Sequence, residues 1–141
     1  MQSTRVREFV RRELVTVELT TPLVEVCRQM DSQRVGAAII VEDGTLVGIL
    51  TERDVVRAVA EGVDAEKTPA ADYMSRMVAT IQADESMGEA ARVMTSEQIR
   101  HLPVVENEQL LGVLSIRDIV QWTVRQSHDE GRHLPQLMDL V

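Results

Sequence analysis

The chain has 141 residues, 44 % of them hydrophobic, enough for one compact core or two small ones sharing an interface and too little for a large multidomain enzyme. A formal net charge of −8 opposes a general role on DNA, RNA or an anionic membrane surface. Three aromatic residues (Phe9, Tyr73, Trp122) are too few for a base-stacking platform, and no apolar run approaches the roughly 20 residues that span a bilayer.

Residues 4–10 open with Thr4 as an N-cap candidate and place Val6, Phe9 and Val10 at helical spacing, which predicts a short amphipathic helix. Residues 14–17 are a brief β-prone run. Thr21 with Pro22 starts a helix, because proline at the first helical position gives up no needed donor. Leu23, Val26, Cys27 and Met30 then form its core-facing stripe, and the helix is expected to end near Ser32. Cys27 on that stripe reads as a small buried hydrophobe in a reducing compartment rather than a reactive thiol. Residues 37–41 are continuously apolar, the pattern of a strand covered on both faces. Glu42-Asp43-Gly44-Thr45 suits a hairpin turn, residues 46–51 the return strand, and residues 52–60 a helix with Glu52 and Asp54 at its positive end.

Residues 61–67 are polar, contain Gly62 and read as a linker. From Thr68 the pattern restarts. Thr68-Pro69 opens a helix through Tyr73 and Met74, residues 78–81 form a short strand, and Met87, Ala90, Ala91 and Met94 repeat the stripe. Residues 102–105 and 110–115 form a second hairpin about Glu106-Asn107-Glu108-Gln109, and a helix runs from 116 to about 125. Residues 4–60 lie on 68–124 without a gap, pairing Met30 with Met94, Leu46 with Leu110, Gly48 with Gly112, Leu50 with Leu114, Arg53 with Arg117 and Asp54 with Asp118. The matches concentrate in the core stripe and at one strand-to-helix junction, so the chain is a tandem repeat and, with two copies, a pseudo-twofold pair rather than a solenoid. The domains are thus 4–60, a linker at 61–67, 68–125, and a tail at 126–141. Gly131 is expected to stop the last helix, and the apolar tail either docks or serves as a dimer arm.

The repeated junction, Gly48-Ile49-Leu50-Thr51-Glu52-Arg53-Asp54 and Gly112-Val113-Leu114-Ser115-Ile116-Arg117-Asp118, carries the chemistry. A helix N-terminus offers unpaired amides and favours an anion. Thr51 and Ser115 present hydroxyls, and Asp54 and Asp118, three positions on, can accept from a vicinal diol such as a ribose. Gly48 and Gly112 allow another backbone or a planar ring to approach closely. Substituting Gly112 by valine is therefore expected to hurt ligand binding more than stability. Arg53, Arg117, Arg100 and His101 can contact phosphate. For one copy alone, a hydroxyl followed by Asp three positions on is an ordinary capping pattern. The duplicated arginine is not required for capping. His101 by itself reads as a satisfied strand-end histidine.

This duplicated unit, together with Arg100-His101-Leu102-Pro103-Val104-Val105, resembles the tandem cystathionine-β-synthase (CBS) domain pair, or Bateman module, over residues 4 to about 125. The resemblance implies an α/β (α+β) fold of two pseudo-twofold-related CBS units, each a small sheet with flanking helices. It also implies a regulatory module that binds adenosine ligands (AMP, ADP, ATP or, in some members, S-adenosylmethionine) in two clefts between the paired sheets, and that associates as a disc-shaped homodimer. Carried over by position, Asp54 and Asp118 hold ribose, and Thr51 and Ser115 contact phosphate or ribose oxygens. Leu14, Val15, Val35 and Ala37 line the first adenine slot, and Val78, Ala79, Ile99 and His101 the second. Arg100 and His101 fall where phosphate contacts are often placed. The first half has Gly36-Ala37-Ala38-Ile39 there, so the second site is expected to fill first.

The expected function is a non-enzymatic adenine-nucleotide sensor in the cytoplasm, signalling by conformational change to an unknown effector protein. The alternative is a purely structural dimerisation module with vestigial pockets. No catalytic triad, no metal-ligand spacing among His101, His128 and His133, and no Walker-type loop points to an enzyme, a metal or a catalytic cofactor. Arg5, Arg7, Arg11 and Arg12 form a small basic cluster that reads as a solvated helix face rather than a nucleic-acid contact.

Overall fold

The structure, a computed structural model, describes residues 4–76 and 78–130, the last three by their backbone only. Gly131 as a helix stop and the apolar tail beyond it lie outside the described residues.

Two three-stranded mixed sheets carry the fold, and each is built the same way. In the first, β1 (Thr16–Glu18) runs parallel to β2 (Ala37–Glu42), and β2 runs antiparallel to β3 (Thr45–Thr51). In the second, β4 (Ile81–Gln82), β5 (His101–Glu106) and β6 (Gln109–Ser115) repeat that order. The register repeats as well: Ile40 faces Gly48 and Val104 faces Gly112, with the pairing shifted by one residue after Ile40 and after Val104. Helix α1 (Leu23–Gln33) crosses from β1 to β2, and α2 (Glu52–Ala60) follows β3. Their counterparts are α3 (Met87–Glu97) and α4 (Ile116–Glu130). Ala37 to Ile40 are all buried, as a strand covered on both faces requires. Both hairpins close through two residues of positive φ, Asp43-Gly44 and Asn107-Glu108, the turn that matches strand twist.

The edges of the packing units differ from those of the repeats. One compact unit comprises residues 13–78, the other the N-terminal segment to Arg12 with the chain from Ala79 onward. The segment leading into each repeat therefore packs on the sheet of the other repeat. The expected helix at 4–10 is a single 3-10 turn, Val6–Glu8, closed by the Arg5 N–H donating to Glu8 Oε2 (2.6 Å) rather than by Thr4. Val6 is fully buried among Ile81, Met87, Met94, Leu102, Leu114 and Ile119. Its repeat counterpart, Ala70, sits in the 3-10 turn Ala70–Asp72, fully buried among Leu23, Val26, Ile40, Leu50 and Met74. Two short turns suffice because the residues that follow each turn, Phe9 and Val10 in one and Tyr73 and Met74 in the other, also pack on the core.

Residues 61–67, expected as a linker, fold back into the 13–78 unit. Gly62 takes φ +74° after α2, Val63 and Ala65 lie against the core, and the Thr68 N–H donates to Asp64 O (2.9 Å). The strand expected at 78–81 begins only at Ile81, and Pro103 explains the shortening. In the first half the Ile39 N–H donates to Val15 O (2.8 Å). Pro103 occupies the matching position and has no N–H to give Ala79. Cys27 is half-buried, and burial pushes its thiol pKa up, away from reactivity.

Candidate functional site

Both junctions form where a strand runs out of partners. Thr51 pairs with Ala37 and Ser115 with His101, each the final pair of its hairpin. The next amide turns inward: Glu52 N–H donates to Gly36 O (3.1 Å), and Ile116 N–H donates to Arg100 O (2.9 Å). Those bonds fix where α2 and α4 start.

Each carboxylate then folds back over its helix end. Asp54 Oδ2 accepts from the Thr51 N–H (2.8 Å) and hydroxyl (3.2 Å). Asp118 Oδ2 accepts from the Ser115 N–H (2.7 Å) and hydroxyl (3.0 Å). This is a capping arrangement, and it accounts for the hydroxyl and the carboxylate together. It occupies one oxygen of each carboxylate. The other, Oδ1, faces an arginine in both halves: Arg57 Nη2 lies 3.5 Å from Asp54, and Arg11 Nε lies 3.7 Å from Asp118. The Asp118 side chain is only 4 % exposed and is the one buried charged side chain among the described residues. A buried carboxylate with one oxygen engaged by its cap can exchange the arginine for another donor.

The remaining predicted residues distribute as follows. Val15 is buried in the core of the 13–78 unit with Val35 packed against that core, while Ala37 is buried in β2 and Leu14 is half-buried. Ala79 and Ile99 pack against the other core, and Val78 is half-buried. His101 is half-buried at the start of β5; Arg53, Arg100 and Arg117 are exposed.

At both glycines the close neighbours belong to another segment of the chain, the first of the two approaches the sequence allowed. A Cβ at Gly112 falls 2.1 Å from Arg11 O, and one at Gly48 falls 2.5 Å from Met74 Sδ and 3.0 Å from Ser75 O. Each glycine thus accommodates the segment that leads into the opposite repeat, bridged by Arg11 to Val113 and by Ser75 to Ile49. The expectation for a Gly112 substitution is therefore corrected: stability suffers first.

Sequence reasoning missed Arg11 and Arg57. Three of the four exposed N-terminal arginines, read there as a solvated face, make contacts within their own unit: Arg5 Nη1 donates to Asp84 O (2.8 Å), Arg7 pairs with Glu106, and Arg11 with Asp118. No spacing rule links Arg11 to Asp118 across the length of the chain. Arg57 lies three positions from Asp54 on one helix face, a spacing that was visible. Arg57 also donates to Tyr73 O (3.1 Å) and lies 5.2 Å above the Tyr73 ring, while the Tyr73 hydroxyl donates to Glu61 Oε1 (2.6 Å). These contacts line an open recess of about 360 Å³ that ties α2 to the Ala70–Asp72 turn.

Comparison with known proteins matches the CBS domain family at residues 6–61 and again at 70–125. The chain is 36 % identical over 124 residues to the uncharacterized protein MK0525 of Methanopyrus kandleri, covering 86 % of this chain and 63 % of that one. It is 32 % identical over 115 residues to the CBS domain-containing protein YhcV of Bacillus subtilis, covering 81 % of each. Against the Arabidopsis thaliana protein CBSCBSPB5 it spans only 19 % of the relative's length. Among solved structures, the CBS domain protein NE2398 superposes with a TM-score of 0.82 at 26 % identity, over 87 % of this chain and 99 % of that one. The CBS domain pair of MJ0100, in complex with 5′-methylthioadenosine and S-adenosyl-L-methionine, superposes with a TM-score of 0.77 at 26 % identity, over 84 % and 98 %.

Proposed function

The chain belongs to the CBS domain family and carries two CBS domains in tandem, and on that premise we propose that it is a non-enzymatic regulatory module binding adenosine ligands at its two strand-to-helix junctions. The observation that carries this reading is the repetition of the carboxylate cap at both junctions. In each copy one carboxylate oxygen is used by the cap, and the other faces only an exchangeable arginine. Ribose hydroxyls would take the place of that arginine, with Thr51, Ser115, Arg53, Arg117, Arg100 and His101 near the phosphate. Leu14, Val15, Val35 and Ala37 would accept one adenine, and Val78, Ala79, Ile99 and His101 the other. The adenosine ligands bound to the MJ0100 pair support the ligand class. AMP, ADP and ATP are the candidates, with S-adenosylmethionine in the same class. Binding would shift the populations of arrangements that an effector protein reads, in the cytoplasm, by linkage.

Calorimetric titration with AMP, ADP, ATP and S-adenosylmethionine tests the reading. Saturable binding is expected, abolished in Asp54→Asn with Asp118→Asn while the thermal unfolding transition stays cooperative. Asparagine keeps an oxygen for the cap and loses the charge. Absence of binding by any of these ligands refutes the proposal.

A second reading, a structural dimerisation module, has one observation in its favour. Among the described residues, Val56 (67 % exposed) and Val59 on α2, and Val120 and Val124 on α4, are the exposed large hydrophobics, and Val56 and Val120 are repeat counterparts. We assign these faces to homodimer formation, which either reading accommodates. Val56→Asp with Val120→Asp is expected to yield a monomer by sedimentation analysis.

A further inference from the structure

Each junction pairs one carboxylate with one arginine, and the two differ in where that arginine comes from. Asp118 meets Arg11, which sits on the N-terminal segment and is held by its main chain: Arg11 N–H donates to Val113 O (3.2 Å), and Val113 N–H donates to Arg11 O (3.0 Å). In the first repeat the bridging residue at that place is Ser75. There Asp54 meets Arg57 instead, and Arg57 is also held by Tyr73 O and the Tyr73 ring.

We infer that Arg11 makes the junction at Asp118 selective for phosphorylated ligands, whereas the junction at Asp54 has no such selector. This rests on the adenosine-ligand reading above. For a ribose to reach Asp118 Oδ1, the Arg11 guanidinium must leave it, because Oδ2 stays with Ser115. The Arg11 side chain is 47 % exposed and its backbone is pinned, so the freed guanidinium remains beside the ligand. A neutral nucleoside then exchanges an ion pair for a hydrated arginine. A nucleotide exchanges it for a phosphate contact of the same kind. At the first junction Ser75 supplies no cation, and the Tyr73 carbonyl and ring hold Arg57 against the Ala70–Asp72 turn. Arg53 and Arg117 occupy matching positions and cancel in the comparison; Arg100 and His101, matched by Gly36 and Ala37, do not cancel, and substitutions at Arg11 alone isolate its share.

The test uses the full chain carrying Asp54→Asn, which leaves the second junction to be read alone, titrated by calorimetry with AMP and with adenosine. Arg11→Ser in that background is expected to weaken AMP by roughly tenfold, the scale of one charged hydrogen bond, while adenosine binds as well or better. Arg11→Lys is expected to keep the preference for AMP. Because the segment is held through its main chain, the thermal transition of both variants is expected to remain cooperative. Equal weakening of both ligands by Arg11→Ser, or an unchanged AMP-to-adenosine ratio, overturns the inference and leaves the adenosine reading intact. So does loss of all binding in Asp54→Asn when the unaltered chain binds. If the unaltered chain binds neither ligand, the underlying reading fails and this one with it.

Discussion

Alanine at Gly112 is expected to destabilise the protein by about 2–4 kcal/mol, and alanine at Gly48 by about 1–2 kcal/mol. At Gly112 the new Cβ lies 2.1 Å from Arg11 O and 2.7 Å from Val10 Cγ2. The obstacle is backbone, so the Arg11 segment must lift. Lifting it breaks the two main-chain bonds to Val113, worth about 1 kcal/mol each, and loosens Val10 from the core. At Gly48 the nearest atom is Met74 Sδ at 2.5 Å, the far part of a flexible side chain, while Ser75 O at 3.0 Å need yield only slightly. Replacing glycine also reduces the entropy of the unfolded chain by a similar amount at both sites, so the difference survives. Urea unfolding followed by far-ultraviolet circular dichroism reads both variants. Trp122, the sole tryptophan, adds a fluorescence signal from the unit that contains Gly112. With an m-value of about 2 kcal/mol/M, the two midpoints should differ by roughly 0.5–1 M, Gly112→Ala being the lower. Equal midpoints refute the reasoning. So does a Gly112→Ala protein that keeps its midpoint and loses nucleotide binding, since the glycine would then be making room for ligand.

Three further outcomes are expected. Tyr73 is the only tyrosine, so ultraviolet absorbance titration reads its phenol alone; the hydrogen bond to the Glu61 carboxylate holds its pKa above the ordinary 10.0. Its stabilising contribution is complete below pH 10 and is lost as pH rises through the folded-state value; Glu61→Gln should return the titration towards 10, and a phenol already normal in the unaltered chain defeats the assignment. Glu108 holds φ +65° where the first hairpin has Gly44, so Glu108→Gly is expected to raise stability by about 0.5–1 kcal/mol, and a lowered melting temperature counts against the turn geometry. Ser86 Oγ accepts from Glu89 N–H (3.1 Å) at the start of α3; Ser86→Ala should cost about 1 kcal/mol in urea, and no loss contradicts the cap.

The match of α1 with α3 and of β2-β3 with β5-β6 was legible from the sequence, because a core stripe and a two-residue turn are local patterns that the repeat states twice. The junctions were legible for the same reason, down to Thr51 with Asp54 and Ser115 with Asp118. Their capping geometry was foreseeable and so was their affinity for donors. Pro103 was visible as well, but its effect on β4 needed the knowledge that the Ile39 amide reaches across to Val15.

Other features depended on chain-distant packing. That residues 61–67 pack on the first core on their way to the second repeat, that Gly112 makes room for Arg11, and that Arg11 meets Asp118 follow from one fact: each lead-in segment lies on the other repeat's sheet. Local periodicity carries no information about which sheet an anchor such as Val6 or Ala70 will enter, since either core offers the same aliphatic surface. The sequence by itself determined a duplicated CBS unit and the residues at its two helix starts. Only the tertiary structure decided which arginine each carboxylate meets, because a polar contact across most of the chain is set by where the backbone is pinned, at Val113 for Arg11 and on α2 for Arg57.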